Sequence, residues 1–190
     1  MQRSVDEAIG QEPRINSYAL VSYLPDPLAA FLNRVRNGIT GDSVARAHVT
    51  VLPPRPLWVD PELVWDTTKS LLQELPAFTV DLGEVEIFPR SQVIYISIQS
   101  GVRELVALHK LLNAGGAAFE EPFIYHPHIT LAQDIDPAQV DATFAQAAQL
   151  WKAHPYSRHH TIDRLTFVQN TLDNHWRDID TVDLVSHALR

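Results

Sequence analysis

The chain has 190 residues, 23 Asp+Glu against 15 Lys+Arg, a formal net charge of −8 and an apolar share of 45%, enough for one domain or two intimately packed lobes around a sizeable core. It contains no Cys and no run of about 18 apolar residues, which excludes disulfides, a thiol nucleophile, a thiolate metal site and a transmembrane helix. The acidic balance argues against wrapping a long polyanion, whereas a small phosphorylated ligand or a nucleic-acid terminus needs only a few local cations.

Residues 1–15 are polar and unpatterned, with Asp6, Glu7 and Glu12 and no apolar signal core. They read as a mobile leader before a single domain over 16–190, and a cytoplasmic location is expected. Ser17 to Leu24 is a short apolar strand stopped by Pro25-Asp26-Pro27, and Asp26 before Pro27 makes a helix N-cap. Leu28, Phe31, Leu32 and Val35 then share one helical stripe, which ends near Gly38 and Gly41. Arg46 to Leu52 is the next strand, closed by Pro53-Pro54-Arg55-Pro56. Asp60-Pro61 starts a second helix, with Leu63, Val64, Thr67, Leu71 and Leu72 on its apolar side, running to about Leu75.

Phe78 to Phe88 and Val93 to Ile98 are the following strands. Leu105, Leu108, Leu111 and Leu112 mark a helix that stops at Gly115-Gly116. Pro127 to Ala132 is a strand, and Asp136-Pro137 caps a helix carrying Val140, Phe144, Ala147, Ala148 and Trp151. Thr161 to Val168 and Trp176 to Val185 form a closing pair of strands around a turn at Asn170 to Asn174. The order strand, helix, strand, helix thus occurs twice, over about 17–75 and about 93–151. This weak duplication predicts two matched halves facing a cleft.

Nine His in so short a chain invite inspection. Each half's second strand holds the same pattern: His48-Val49-Thr50-Val51 and His128-Ile129-Thr130-Leu131. Strand side chains alternate faces, so each imidazole and hydroxyl lie ~7 Å apart on one face while the aliphatic pair enters the core. Two such strands across a cleft converge on phosphodiester chemistry. One neutral His takes a proton from the attacking oxygen, and the other, as imidazolium, protonates the leaving oxygen. The Thr hydroxyls donate to the non-bridging phosphate oxygens, and no metal or other cofactor is required. His159-His160-Thr161-Ile162 repeats the pattern with a polar middle residue and reads as the solvated start of a strand. His126 beside His128 lacks the further ligands of a metal site. His109, His154, His175 and His187 read as surface or capping residues.

With about eighty residues between the two motifs, the chain resembles the two-histidine (2H) phosphoesterase superfamily, the 2′-5′ RNA ligase-like proteins, from about Ser17 onward. "HVTVLPPRPL" looks like the first motif, "YHPHITLAQ" like the second, and "RLTFVQNTLDNHWRDIDTVDL" like the closing hairpin. The resemblance implies an α+β fold of two pseudo-symmetric lobes, each an antiparallel sheet with helices on its outer face, around a central cleft. It implies hydrolysis of a 2′,3′-cyclic or 2′-linked phosphodiester of a nucleotide or RNA end, with His48 and His128 as the acid/base pair and Thr50 and Thr130 on the phosphate. Ligation through 2′-5′ links and non-catalytic nucleotide binding are the alternatives. Gln133 stands where many members carry Arg, which removes a charge-assisted contact; Arg55, Arg90 or Arg158 could supply it. Tyr18, Tyr23 and Tyr125 are candidates to stack on a base. No membrane partner is implied, and a monomer is expected.

Overall fold

The structure, a computed structural model, describes residues 13–41 and 46–186. The expected leader lies outside the described residues except at its end, where Arg14 and Ile15 already belong to the first strand because Arg14 pairs with Thr171. The elements are β1 (Arg14–Tyr23), α1 (Leu28–Thr40), β2 (His48–Arg55), α2 (Pro61–Leu72), β3 (Phe78–Ile87), β4 (Ile94–Ser100), α3 (Val102–Leu112), β5 (His128–Ala132), α4 (Val140–Lys152), β6 (His159–Ile162), β7 (Arg164–Thr171) and β8 (Trp176–Asp183).

These strands form two four-stranded antiparallel sheets, ordered β2-β1-β7-β8 and β5-β4-β3-β6. The repeated order maps onto β1–α1–β2–α2 and β4–α3–β5–α4, so each His-x-Thr strand is the edge of its sheet and pairs with the strand that opens its half. Edge position explains how β2 runs through Pro53 and Pro54 to Arg55 instead of stopping at Leu52: prolines at a sheet edge break no inner ladder.

One expected strand is two. The run Thr161 to Val168 divides at Asp163, with β6 joining the second sheet beside β3 and β7 joining the first beside β1. Ile162 and Leu165 are both fully buried, and a spacing of three positions between two inward side chains breaks a strict period of two, which is where the chain changes sheets. The apolar face of α2 also differs from expectation. Val64, Trp65, Thr68 and Leu72 are buried while Leu63 and Leu71 are exposed, because Trp65 stacks on Phe167 at 5.1 Å and turns the helix onto that ring. Asp60 caps α2 by accepting from the Glu62 amide at 3.0 Å, and Asp26 accepts from the Ala30 amide at 3.0 Å.

Two of the helices cross between lobes: α1 packs on β5 and α4, and α3 packs on β2. The open side of each His-x-Thr edge strand is therefore served by the opposite half. One core cluster runs through both lobes and contains Val49, Val51, Ile129 and Leu131. Slipping either strand by one residue would put two of these aliphatics into water, a loss of roughly 3–6 kcal/mol per strand before the cost of burying an imidazole. Core packing thus holds both His-x-Thr pairs on the outward face. No helix among the described residues is long and apolar enough to cross a membrane.

Candidate active site

His48 sits opposite Tyr23, and Thr50 opposite Val21, in the β1–β2 register. In the other lobe His128 sits opposite Ser97, and Thr130 opposite Tyr95. All four side chains line one cleft of about 710 Å³, together with Gln133 at the end of β5. The floor on the first lobe's side is a small apolar cluster of Ala19, Val21 and Val168, flanked by Tyr23 and Trp176. Asn170 and Asn174 close the far end, joined by a 3.0 Å hydrogen bond from Asn170 Nδ2 to Asn174 Oδ1.

The two imidazoles share one local arrangement. His48 Nδ1 lies 2.6 Å from the Arg46 carbonyl oxygen, and His128 Nδ1 lies 2.6 Å from the His126 carbonyl oxygen. A carbonyl can only accept, so each Nδ1 carries the hydrogen and each Nε2 is left with its lone pair in the neutral ring. Burial lowers the pKa of both. His48 falls from 6.5 to about 4: desolvation dominates, the Arg46 carbonyl opposes it, and the individually smaller effects of the Arg36, His128 and Arg46 charges add to the fall. For His128 desolvation again dominates, the His126 carbonyl opposes it and the His126 ring adds to it. Near neutral pH both rings are therefore neutral bases. An anion between them would favour the imidazolium.

The rings differ in what surrounds them. Tyr23 meets His48 edge-on at 6.3 Å, carries the Arg46 guanidinium over its face at 3.6 Å, and donates to Asp178 Oδ1 at 2.7 Å; burial and Asp178 push the Tyr23 hydroxyl up to about 12. Arg46 also pairs with Asp178. His128 instead meets Phe88 at 5.1 Å and Tyr95 at 5.3 Å, and these two rings stack on each other at 4.1 Å.

Three residues expected at the substrate lie elsewhere. Tyr18 faces the core side of β1, stacked on Phe167 at 5.3 Å, with its hydroxyl accepting from Gln169 Nε2 at 2.8 Å. Arg55 is 2% exposed and spends its guanidinium on Glu121, Asn113 Oδ1 and the Ala117 carbonyl, at 2.5, 2.7 and 3.0 Å. Tyr125 lies flat on His109 at 4.0 Å and donates to the Thr50 carbonyl at 2.8 Å. His109 is buried rather than at the surface, and its Nδ1–H donates to the Val51 carbonyl at 2.9 Å. Arg55, Glu121, His109 and Tyr125 thus form a brace that fastens the second half to the backbone of β2 behind the site. Arg158 pairs with Glu84, Arg90 is exposed, and His159 pairs with Asp81 at 2.7 Å. His187 lies outside the described residues.

The structure adds Arg36 and Arg46 to the cleft. Arg36 was legible in principle: Leu28, Leu32 and Arg36 fall at i, i+4 and i+8 on the inward stripe of α1, and all three are buried. No pattern in the sequence marks Arg46.

Paired lobes, edge-strand His-x-Thr motifs and a shared cleft define a two-histidine phosphoesterase architecture. The family model described as the 2′-5′ RNA ligase superfamily matches residues 24–174, and the chain belongs to that superfamily. Among curated relatives, the Geobacillus kaustophilus protein named "Putative phosphoesterase GK0864" is 24% identical over 173 residues, covering 86% of this chain and 94% of its own length. A protein of the same kind of name from Geobacillus thermodenitrificans is 25% identical over 144 residues, covering 71% of this chain and 80% of its own. The fold is similar to that of E. coli LigT in complex with 3′-AMP, with a TM-score of 0.61 and 18% identity over 92% of this chain and 99% of LigT. It is also similar to Thermus thermophilus TT0787, with a TM-score of 0.59 and 16% identity over 90% and 100%. E. coli LigT has further been crystallised with ATP and with NADP+.

Proposed function

We propose that the protein hydrolyses a 2′,3′-cyclic or 2′-linked phosphodiester of a nucleotide or RNA end, using His48 and His128 as its acid/base pair. The observation that carries this reading is the matched pair of Nδ1-anchored imidazoles in one cleft, each with a Thr hydroxyl two residues further along the same strand face. In the reaction, water oxygen bonds to phosphorus and the ester P–O bond breaks. One Nε2 takes the water proton, and the opposite imidazolium gives its proton to the leaving ribose oxygen. Thr50 and Thr130 donate to the non-bridging oxygens as charge builds there. The nucleoside lies on the small apolar floor of Ala19, Val21 and Val168 between Tyr23 and Trp176, a surface suited to a planar ring.

The test is turnover of 2′,3′-cyclic mononucleotides to the nucleoside monophosphate, with a chelator present, by wild type and by His48→Ala and His128→Ala. Each variant should keep its circular dichroism spectrum and lose the activity. Full activity in either variant removes the acid/base assignment. Thermal stabilisation by nucleotide without turnover would make the cleft a binding site only.

A further inference from the structure

Acid/base work by His48 and His128 requires one fixed separation between them, yet the two ride on strands that share no ladder. β2 and β5 are edges of different sheets. The core that holds Val49, Val51, Ile129 and Leu131 is attractive but non-directional, so it does not set that distance alone. Directional bonds reach the β2 backbone from the second half at two consecutive carbonyls. The Tyr125 hydroxyl donates to the Thr50 carbonyl at 2.8 Å, and His109 Nδ1–H donates to the Val51 carbonyl at 2.9 Å. The two rings lie face to face, 4.0 Å apart and 4° from parallel, so each holds the other's plane.

Tyr125 also stands three positions before His128. Between them Pro127 is buried and its ring fixes φ, while the His126 carbonyl accepts from His128 Nδ1. This stretch is short and stiff. One end is bonded to the backbone of the first motif, and the other carries the imidazole of the second.

We propose that Tyr125 is a positioning residue, whose hydroxyl on the Thr50 carbonyl sets the separation of the two histidines while His109 holds its ring. Tyr125 does not line the cleft. It acts from behind, through the backbone of a residue whose own hydroxyl faces the phosphate. Burial and the Glu121 charge push the Tyr125 hydroxyl up, so it keeps its proton, and remains a donor, wherever imidazoles titrate.

The inference rests on the phosphodiesterase reading, and two measurements keep the two apart. Tyr125→Phe keeps the ring stack and removes one oxygen. On a 2′,3′-cyclic mononucleotide it should lower kcat about 10-fold with KM within about twofold, because misplacing reacting groups costs rate rather than binding. A merely structural hydroxyl would lower the unfolding temperature and leave kcat of the folded chain unchanged, which overturns the proposal. A loss carried by KM would make Tyr125 a substrate contact and overturns it as well. Should Tyr125→Phe fail to fold, His109→Phe takes its place, keeping a ring against Tyr125 and removing the bond to Val51. The second measurement needs no turnover. The chain has no Cys, so Leu172→Cys in the β7–β8 turn and Arg90→Cys in the β3–β4 turn, both exposed, accept one spin label on each lobe. The label-to-label distance should be narrowly distributed with Tyr125 present and broader in Tyr125→Phe. If the wild-type chain turns over no phosphodiester, the reading of the reaction fails and this distance decides alone: an unchanged distribution overturns the role of Tyr125.

Discussion

His48 and His128 share a strand position, a cleft-facing side and an Nδ1–H donated to the carbonyl two residues back, yet their company differs. His48 stands among cations, with Arg36 and Arg46 both acting on its charge. His128 stands among rings, with Phe88, Tyr95 and His126 around it. The tetrapeptide duplicates what a strand can duplicate: a face, a tautomer and a hydroxyl neighbour. Helix α1 and the Phe88–Tyr95 stack supply what it cannot, and these are unlike in the two halves.

The largest effect tests whether the halves act as one unit. His48→Ala and His128→Ala should each cost about 10²–10⁴ in kcat/KM, and the double variant should lose little more than the worse single one. Additive losses would mean two independent sites. Next comes the brace, which among the described residues backs β2 and not β5. Arg55→Met should destabilise the chain by about 3–5 kcal/mol by stranding the largely buried Glu121 carboxylate, with kcat/KM of the folded fraction retained. A normal denaturation midpoint with lost activity would return Arg55 to the substrate site.

Thr50→Val and Thr130→Val should each lower kcat by about 10² if phosphate is shared equally between the lobes. A loss confined to one of them would assign the phosphate to that lobe. The smallest effect separates two tyrosines. Tyr125→Phe should cost about 1 kcal/mol through its bond to the Thr50 carbonyl, measured by thermal unfolding. Tyr95→Phe, whose hydroxyl donates to the exposed Glu86 at 3.1 Å, should cost less. Equal shifts would deny the brace its special place.

The sequence made the two sheets and both motifs readable because their signals are local. Val49 and Val51, or Ile129 and Leu131, set a strand's inward face within four residues. The parity of Tyr18 is available in the sequence: it lies five positions before Tyr23, an odd spacing, so the two cannot share a strand face. Arg55 and Tyr125 read as cleft residues because nothing near either motif shows Glu121, Asn113 or His109 waiting behind β2. Those partners come from 54 to 66 positions beyond Arg55 and are set by α3 crossing between lobes. Arg36 was passed over because a charge on a helix reads as solvated until its neighbours at i−4 and i−8 are counted.

The crossing at Asp163 gives the lobes different histories during synthesis. All four strands of the His128 sheet lie within residues 78–162, so that sheet can close as a contiguous piece. The His48 sheet is assembled from the two ends of the chain. Until β7 leaves the ribosome, β1 has β2 on one side and an open ladder on the other. The first motif in the chain thus sits on the sheet whose strands β7 and β8 come later in sequence than any strand of the other sheet.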